Sequence, residues 1–576
     1  MLTGAGALEN LSPLGVGDWS YERAAHLLER AGFGGTPAEI EQLARMTPEE
    51  AVASLVDYRQ HDHSFLPDFD PSGFWEPSFK DFPVSRPAAT ERAERDGELL
   101  GVRVKPSGER PLQPVTNRFF YWLRATVLET RRLAFWWLGR MVTTNRPLEE
   151  KMTLFWHGHF ATSEEKLRDY RKIQRQLETL RHGATGNFGA LLVAVAKDPA
   201  MLVFLDAAQN VKGAPNENFG REVMELFTMG VGNYSEEDIR EAARAFTGWG
   251  NDDLDFVVDA DKHDDGLKHF LGREGHFSGE DILRIILEQP QTANYIATKL
   301  FRFFVREDIS PGFALRLGDL LRDNDYEIAP FLKTIFLSQD FYSEASVATH
   351  IKSPTELLVS TYRKLGLADL PGIPDPHTVC KTLGQVLLYP PTVAGWGEGR
   401  SWITPGLLFE RANFAREVMF PNIIEFSDPN HNPGGEVRRV NRNIIAGMEI
   451  TAATLEDGAA PSRTAGMQEA FNTRYASLVG YSEALRKLKP IPRRAAQFSL
   501  SAMVIEAGAQ TTGDAVDALV RRLLRVPLTP PARAALVDTL TRELGTSELE
   551  QAQSYMEQPL RVVAHLIMSS PQYQLA

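Results

Sequence analysis

The feature that most constrains the fold is a succession of helix starts, each a capping residue ahead of an apolar stripe at three- to four-residue spacing. Ser20 precedes Ala24, Leu27 and Leu28, and Thr36-Pro37 precedes Ile40 and Leu43. Thr47-Pro48-Glu49-Glu50 opens a third segment, and Ser235-Glu236-Glu237-Asp238 precedes Ile239, Ala242, Ala243 and Phe246. A hydroxyl at the cap and a proline or acids in the first turn suit the unpaired amides there. The stripe behind them buries one face. Alternation of apolar with acidic residues is confined to Asn251–Lys268, through Leu254, Phe256 and Val258, where a short β-hairpin is expected. The chain therefore reads as all-α, a multi-helix body with Pro-rich excursions and at most one small hairpin.

At 576 residues the chain exceeds one core of ordinary size. Residues 1–60 read as an N-terminal helical module, and 61–114, rich in Pro, Asp, Ser and Arg, as an extended surface segment. Residues 115–425 form the main helical body, 426–466 linker loops and 467–576 a helical tail. An internal echo is present. Leu300-Phe301-Arg302-Phe303-Phe304, a Ser310-Pro311 helix and Ser338-Gln339-Asp340-Phe341-Tyr342 correspond to Leu519–Leu524, a Thr529-Pro530 helix and Ser569-Ser570-Pro571-Gln572-Tyr573. A repeated helical module is the physical reading, against chance similarity.

Composition removes several function classes. With 76 acidic and 62 basic residues the net charge is −14, and no basic run interleaved with aromatics breaks the balance, so nucleic acid is not an expected partner. The single cysteine, Cys380, permits no intrachain disulfide and no thiolate cluster, so any metal must be held by His, carboxylate or amide groups. His377 stands three residues before Cys380, but a buried, inert thiol is favoured over a nucleophile. No stretch approaches 18 uninterrupted apolar residues, so no membrane span is expected. The opening residues lack a basic and apolar export signal, which points to the cytoplasm, with an exported form whose signal is trimmed as the alternative. Phosphate-binding glycine loops, Gly-x-Ser-x-Gly, His-Glu-x-x-His and dinucleotide fingerprints are absent from the sequence.

Chemistry concentrates in two words. In Trp156-His157-Gly158-His159-Phe160, two imidazoles stand two residues apart. They diverge on a helix and converge if the helix stops at Gly158, which would suit a divalent metal or proton carriers. The alternative is that one histidine bonds a backbone carbonyl while the other sits in an aromatic pocket. On the segment opened by Asn216, Glu217, Arg221 and Glu225 share a helical face at i, i+4 and i+8, with Glu222 on another. They read as a solvated ladder or, because Phe219, Val223, Leu226 and Phe227 make the helix largely apolar, as buried catalytic carboxylates oriented by Arg221. Trp396, Arg400 and Trp402 lie on a rigid Pro- and Gly-rich loop suited to stacking on a planar or sugar-like group, or to packing on the core.

These words are long enough to carry a resemblance. The Ala25-His26-Leu27-Leu28-x-Arg30-Ala31-Gly32-Phe33-Gly34 turn, Arg146-Pro147-Leu148 running to His159-Phe160, and Asp198-Pro199-Ala200-Met201 resemble the bacterial family known as domain of unknown function 1800. So do Asn216-Glu217-Asn218-Phe219-x-Arg221-Glu222, Glu225-Leu226-Phe227-Thr228-x-Gly230 and Ala242–Trp249. The resemblance implies an all-helical fold and a genomic neighbour from the domain-of-unknown-function-1501 family, itself similar to the alkaline-phosphatase and sulfatase group. It implies no reaction. Many relatives carry His where Phe227 stands, so a four-ligand metal site using that position would be incomplete here. The expected function is a metal-assisted or acid–base enzyme, hydrolysing or oxidising a modified peptide or sugar-like substrate. His157 and His159 would be ligands or proton carriers, Glu222 or Glu225 the base, with Glu217 and Arg221 beside them. The alternative is a non-catalytic helical assembly protein.

Overall fold

The computed structural model describes residues 9–80, 82–83, 85–421 and 470–576; the expected linker at 426–466 and the opening residues 1–8 lie outside the described residues. The chain is 59% helical, with 24 α-helices among the described residues. The caps read from the sequence are formed. The Ser20 hydroxyl accepts from the Arg23 amide, while Thr36, Thr47 and Ser235 form reciprocal boxes with Glu39, Glu50 and Asp238.

The expected hairpin pairs Trp249–Asp252 with Asp255–Val258 in antiparallel register, Trp249 opposite Val258. A hairpin pairing Glu98–Leu99 with Val102–Arg103 was not expected, and a third pairs Lys268–Phe270 with Arg273–Gly275 around the Leu271-Gly272 turn. Strands of two or three residues are too short to display a period-two pattern. The 61–114 segment is also more ordered than an excursion. It contains the helix Arg86–Asp96, capped by Ser85, and it buries Phe69, Phe74 and Phe79.

The apolar side chains gather into two large cores. One is built from Leu14 to Tyr58, the 148–249 helices and Phe270 to Tyr342; the other from the 31-residue helix Gln113–Thr143, residues 357–419 and residues 484–573. The echoed modules are realised as helix triplets, Pro290–Phe304, Pro311–Asp323 and Ile328–Leu337 in the first core, and Thr512–Leu523, Pro530–Leu544 and Glu557–Met568 in the second. The helix Thr473–Lys487 lies along Gln113–Thr143 at Gly480, where a Cβ would stand 2.4 Å from the Tyr121 amide nitrogen, so only glycine permits that approach.

Between the cores lies a seam of buried charge. Glu29, on the helix Tyr21–Arg30, meets Lys364 at 2.8 Å, Lys352 at 3.3 Å and Arg525 at 3.4 Å. Nearby, Lys151 is ion-paired with Glu356. These pairs join the first 30 residues to the segment around residue 360 and to the final helices. Buried charges of this kind fix one arrangement of elements because each is costly without its partner.

Candidate functional site

The histidine word sits on the helix Pro147–His159, where every residue but Gly158 is buried. Ion pairs anchor this helix as well as packing. Glu150 accepts from Arg140, from Arg181 at 3.0 Å and from the Trp137 indole at 2.9 Å. Leu148, Met152 and Trp156 enter the first core and Leu154 the second. The helix does not stop at Gly158 but runs through His159, so the two rings diverge, as residues two apart on a helix must.

The His157 ring lies edge-on to Trp137 and Trp396, with centroids at 5.4 and 5.2 Å, and its Nε2 accepts the Leu388 amide at 3.2 Å. Burial lowers its pKa to about 3, so it is neutral. His159 donates through Nε2 to the Phe227 carbonyl at 3.0 Å, among Phe155, Phe160, Phe227 and Tyr295. Burial, helped by the Lys299 charge, holds it well below the usual histidine value. With Nε2 protonated, its Nδ1 lone pair is buried and has no partner. Among the described residues no three His, Cys, Asp or Glu side chains gather as metal ligands. The donor geometry therefore does not fit the divalent metal that the His-x-His spacing suggests.

The second word folds as a helix, Asn218–Glu222, that widens into a π-helical turn over Val223–Thr228. The extra residue per turn shifts Glu225 out of the expected i, i+4, i+8 register. Arg221 pairs with Glu217 at 3.1 Å and with Glu236 of the next helix at 2.9 Å, all at the surface. The bonds to Glu236 chiefly hold the guanidinium above its usual pKa. Such an exposed pair contributes little. Arg221→Ala should change unfolding free energy by no more than about 1 kcal/mol in a denaturant titration. A loss above about 3 kcal/mol would mark the ladder as a structural clamp.

Glu222 and Glu225 are each half-buried, and Glu225 accepts from the Tyr234 hydroxyl at 2.8 Å. Burial, then repulsion from Glu225, raises the pKa of Glu222 above the usual glutamate range. Beside this turn is a cleft of about 240 Å³, lined by Met229 and by Asn294, Tyr295, Thr298, Lys299 and Arg302 on one face of the helix Pro290–Phe304. The Tyr295 hydroxyl donates to the Leu226 carbonyl at 3.1 Å, tying this helix to the π turn. Tyr234, Tyr295 and Lys299 were not foreseen. For Tyr295 and Lys299 the signal was a polar stripe at 294, 295, 298, 299 and 302 opposite buried Ala293, Ile296, Ala297 and Leu300.

The residues of the aromatic loop occupy three environments. Trp396 is half-buried against His157, Arg400 is exposed, and Trp402 is buried with its carbonyl accepting from Arg411 at 3.0 Å. Gly395, at φ +87°, seats the loop on the histidine helix, since a Cβ there would lie 2.4 Å from the Gly158 carbonyl oxygen.

A mostly helical body thus buries His157 and His159 and carries Glu222 and Glu225 on the helix that continues into the π turn. The chain belongs to the family described as protein of unknown function (DUF1800), whose family model matches residues 26–575. No curated protein and no solved structure matches it. No helix among the described residues is long and apolar enough to cross a membrane.

Proposed function

We propose that this protein is an acid–base enzyme in which Glu222 and Glu225 are the proton-transferring pair, Glu225 held by Tyr234. The observation that carries this reading is the half-buried carboxylate pair itself, with Glu222 raised by burial and by its like-charged neighbour. A half-buried carboxyl raised above its usual range by burial and a neighbouring like charge suits proton transfer. Of the two expected reaction types, hydrolysis of a modified peptide or sugar-like substrate needs only water and proton carriers, which these side chains supply. His157 and His159, buried and neutral, act by holding the helix, the aromatic loop and the π turn in register.

The test is turnover on chromogenic glycosides and peptide anilides. Glu222→Gln and Glu225→Gln should each lose about 10²-fold or more in rate with little change in melting temperature. Wild-type turnover in both variants would sink the assignment. A Glu222 carboxyl titrating at or below about 4.3 by NMR would remove its basis whatever the substrate.

A second reading, a helical assembly protein, is favoured by the helix-to-helix ion pairs of Arg221 and by the core contacts of both histidines. In that case the partner implied by the resemblance, a protein of the 1501 family, should co-purify with the chain. The Trp396→Ala variant should lose it and Glu222→Gln should retain it.

A further inference from the structure

Several buried or partly buried lysines among the described residues are ion-paired. Lys151 pairs with Glu356, Lys352 and Lys364 with Glu29, and Lys172 with Asp169. Buried Lys268 donates to the carbonyls of Asp264 and Gly266. Lys299 is half-buried, yet among the described residues it forms no salt bridge, and its ammonium lies 5.3 Å from the centre of the Tyr295 ring. Burial lowers its pKa, with Glu398 of the aromatic loop acting in the opposite sense. An ammonium withdrawn from water without an anion beside it is costly, and a ligand that supplies the anion relieves that cost.

The surroundings fit such a ligand. The cleft beside Lys299 has no carboxylate in its lining. Asn294, Thr298 and Arg302 follow one another at four-residue steps, and Tyr295 and Lys299 do the same one position on, so amide, hydroxyl, guanidinium and ammonium donors share a face. The volume of about 240 Å³ is roughly that of eight water molecules in the liquid, enough for a tetrahedral or planar oxyanion with a short attached chain.

We propose that the cleft between the π turn and the helix Pro290–Phe304 is an oxyanion subsite, in which Lys299 and Arg302 hold a carboxylate or phosphate group and Asn294 and Thr298 add hydrogen bonds. As a statement about substrate it rests on the acid–base reading, since it names the anionic end of the molecule on which Glu222 and Glu225 act. As a statement about binding it stands alone.

The experiment is reductive methylation of the full chain, read by peptide mass spectrometry, with inorganic phosphate or acetate added at millimolar concentration and total ionic strength held constant. Lys299 should be protected selectively over exposed Lys105. Protection by phosphate alone assigns a phosphate ligand, and stronger protection by acetate assigns a carboxylate. Calorimetric binding of the effective anion should weaken about tenfold or more in Lys299→Met and stay unchanged in Lys105→Met. Equal protection of Lys299 and Lys105, or no protection by either anion, overturns the proposal in the wild-type protein, whether or not the Lys299 variant folds. Selective binding combined with unaltered turnover in Glu222→Gln and Glu225→Gln would retain the subsite and discard the acid–base reading.

Discussion

Replacing Glu29 by alanine will destabilise the protein by about 3–5 kcal/mol. The carboxylate is 2% exposed and faces Lys364, Lys352 and Arg525, so its removal strands three cations in the seam between the cores. The loss should appear as a lower denaturant midpoint, and a change below about 1 kcal/mol would show that the cluster behaves as a surface pair. Its pH signature follows from the same geometry. Burial alone would push the Glu29 pKa up, but Lys364, Lys352 and Arg525 outweigh it and hold the carboxyl well below the usual range. A depressed acid contributes stability that is fully present above its unfolded pKa of about 4.3 and is lost as pH falls toward and through the folded value. Denaturant midpoints should therefore decline below about pH 5, and less steeply in Glu29→Ala than in the wild type.

A loss of similar size, about 3–5 kcal/mol, is expected for Trp156→Ala. The indole is fully buried, donates to the Ala184 carbonyl at 2.9 Å and packs on Phe160 and Phe188 with centroids at 5.7 and 5.8 Å. Alanine leaves a cavity and an orphaned carbonyl. Trp156→Phe keeps most of the volume and should cost about 1–3 kcal/mol. Equal losses in the two variants would assign the whole effect to the hydrogen bond.

The helices were legible because their signals are local. Ser20, Thr36, Thr47 and Ser235 each declare a start without reference to the rest of the chain. The candidate site was legible in some of its residues but not in its geometry. Convergence of His157 and His159 required the helix to stop at Gly158, yet that glycine serves the loop above it, where Gly395 rests on its carbonyl and Trp396 lies at its side. Nothing in Glu222–Thr228 announces a π turn, because the widening depends on what the turn packs against. Lys299 illustrates the same limit. Periodicity puts it on the polar face of its helix, but that it forms no salt bridge there is a fact of tertiary structure.

The two cores also differ in when they can close as the chain is made. The first draws on residues from Leu14 to Tyr342, whereas the second needs residues as late as Tyr573, 231 positions further on (573 − 342). At synthesis rates of about 5–20 residues per second, that separation lasts roughly 12 to 46 seconds. For much of this interval the long helix Gln113–Thr143 lacks Thr473–Lys487, which lies along it at Gly480. Conditions that slow the ribosome over the codons for residues 343–573 should therefore lower the soluble yield more than equal slowing over those for residues 14–244.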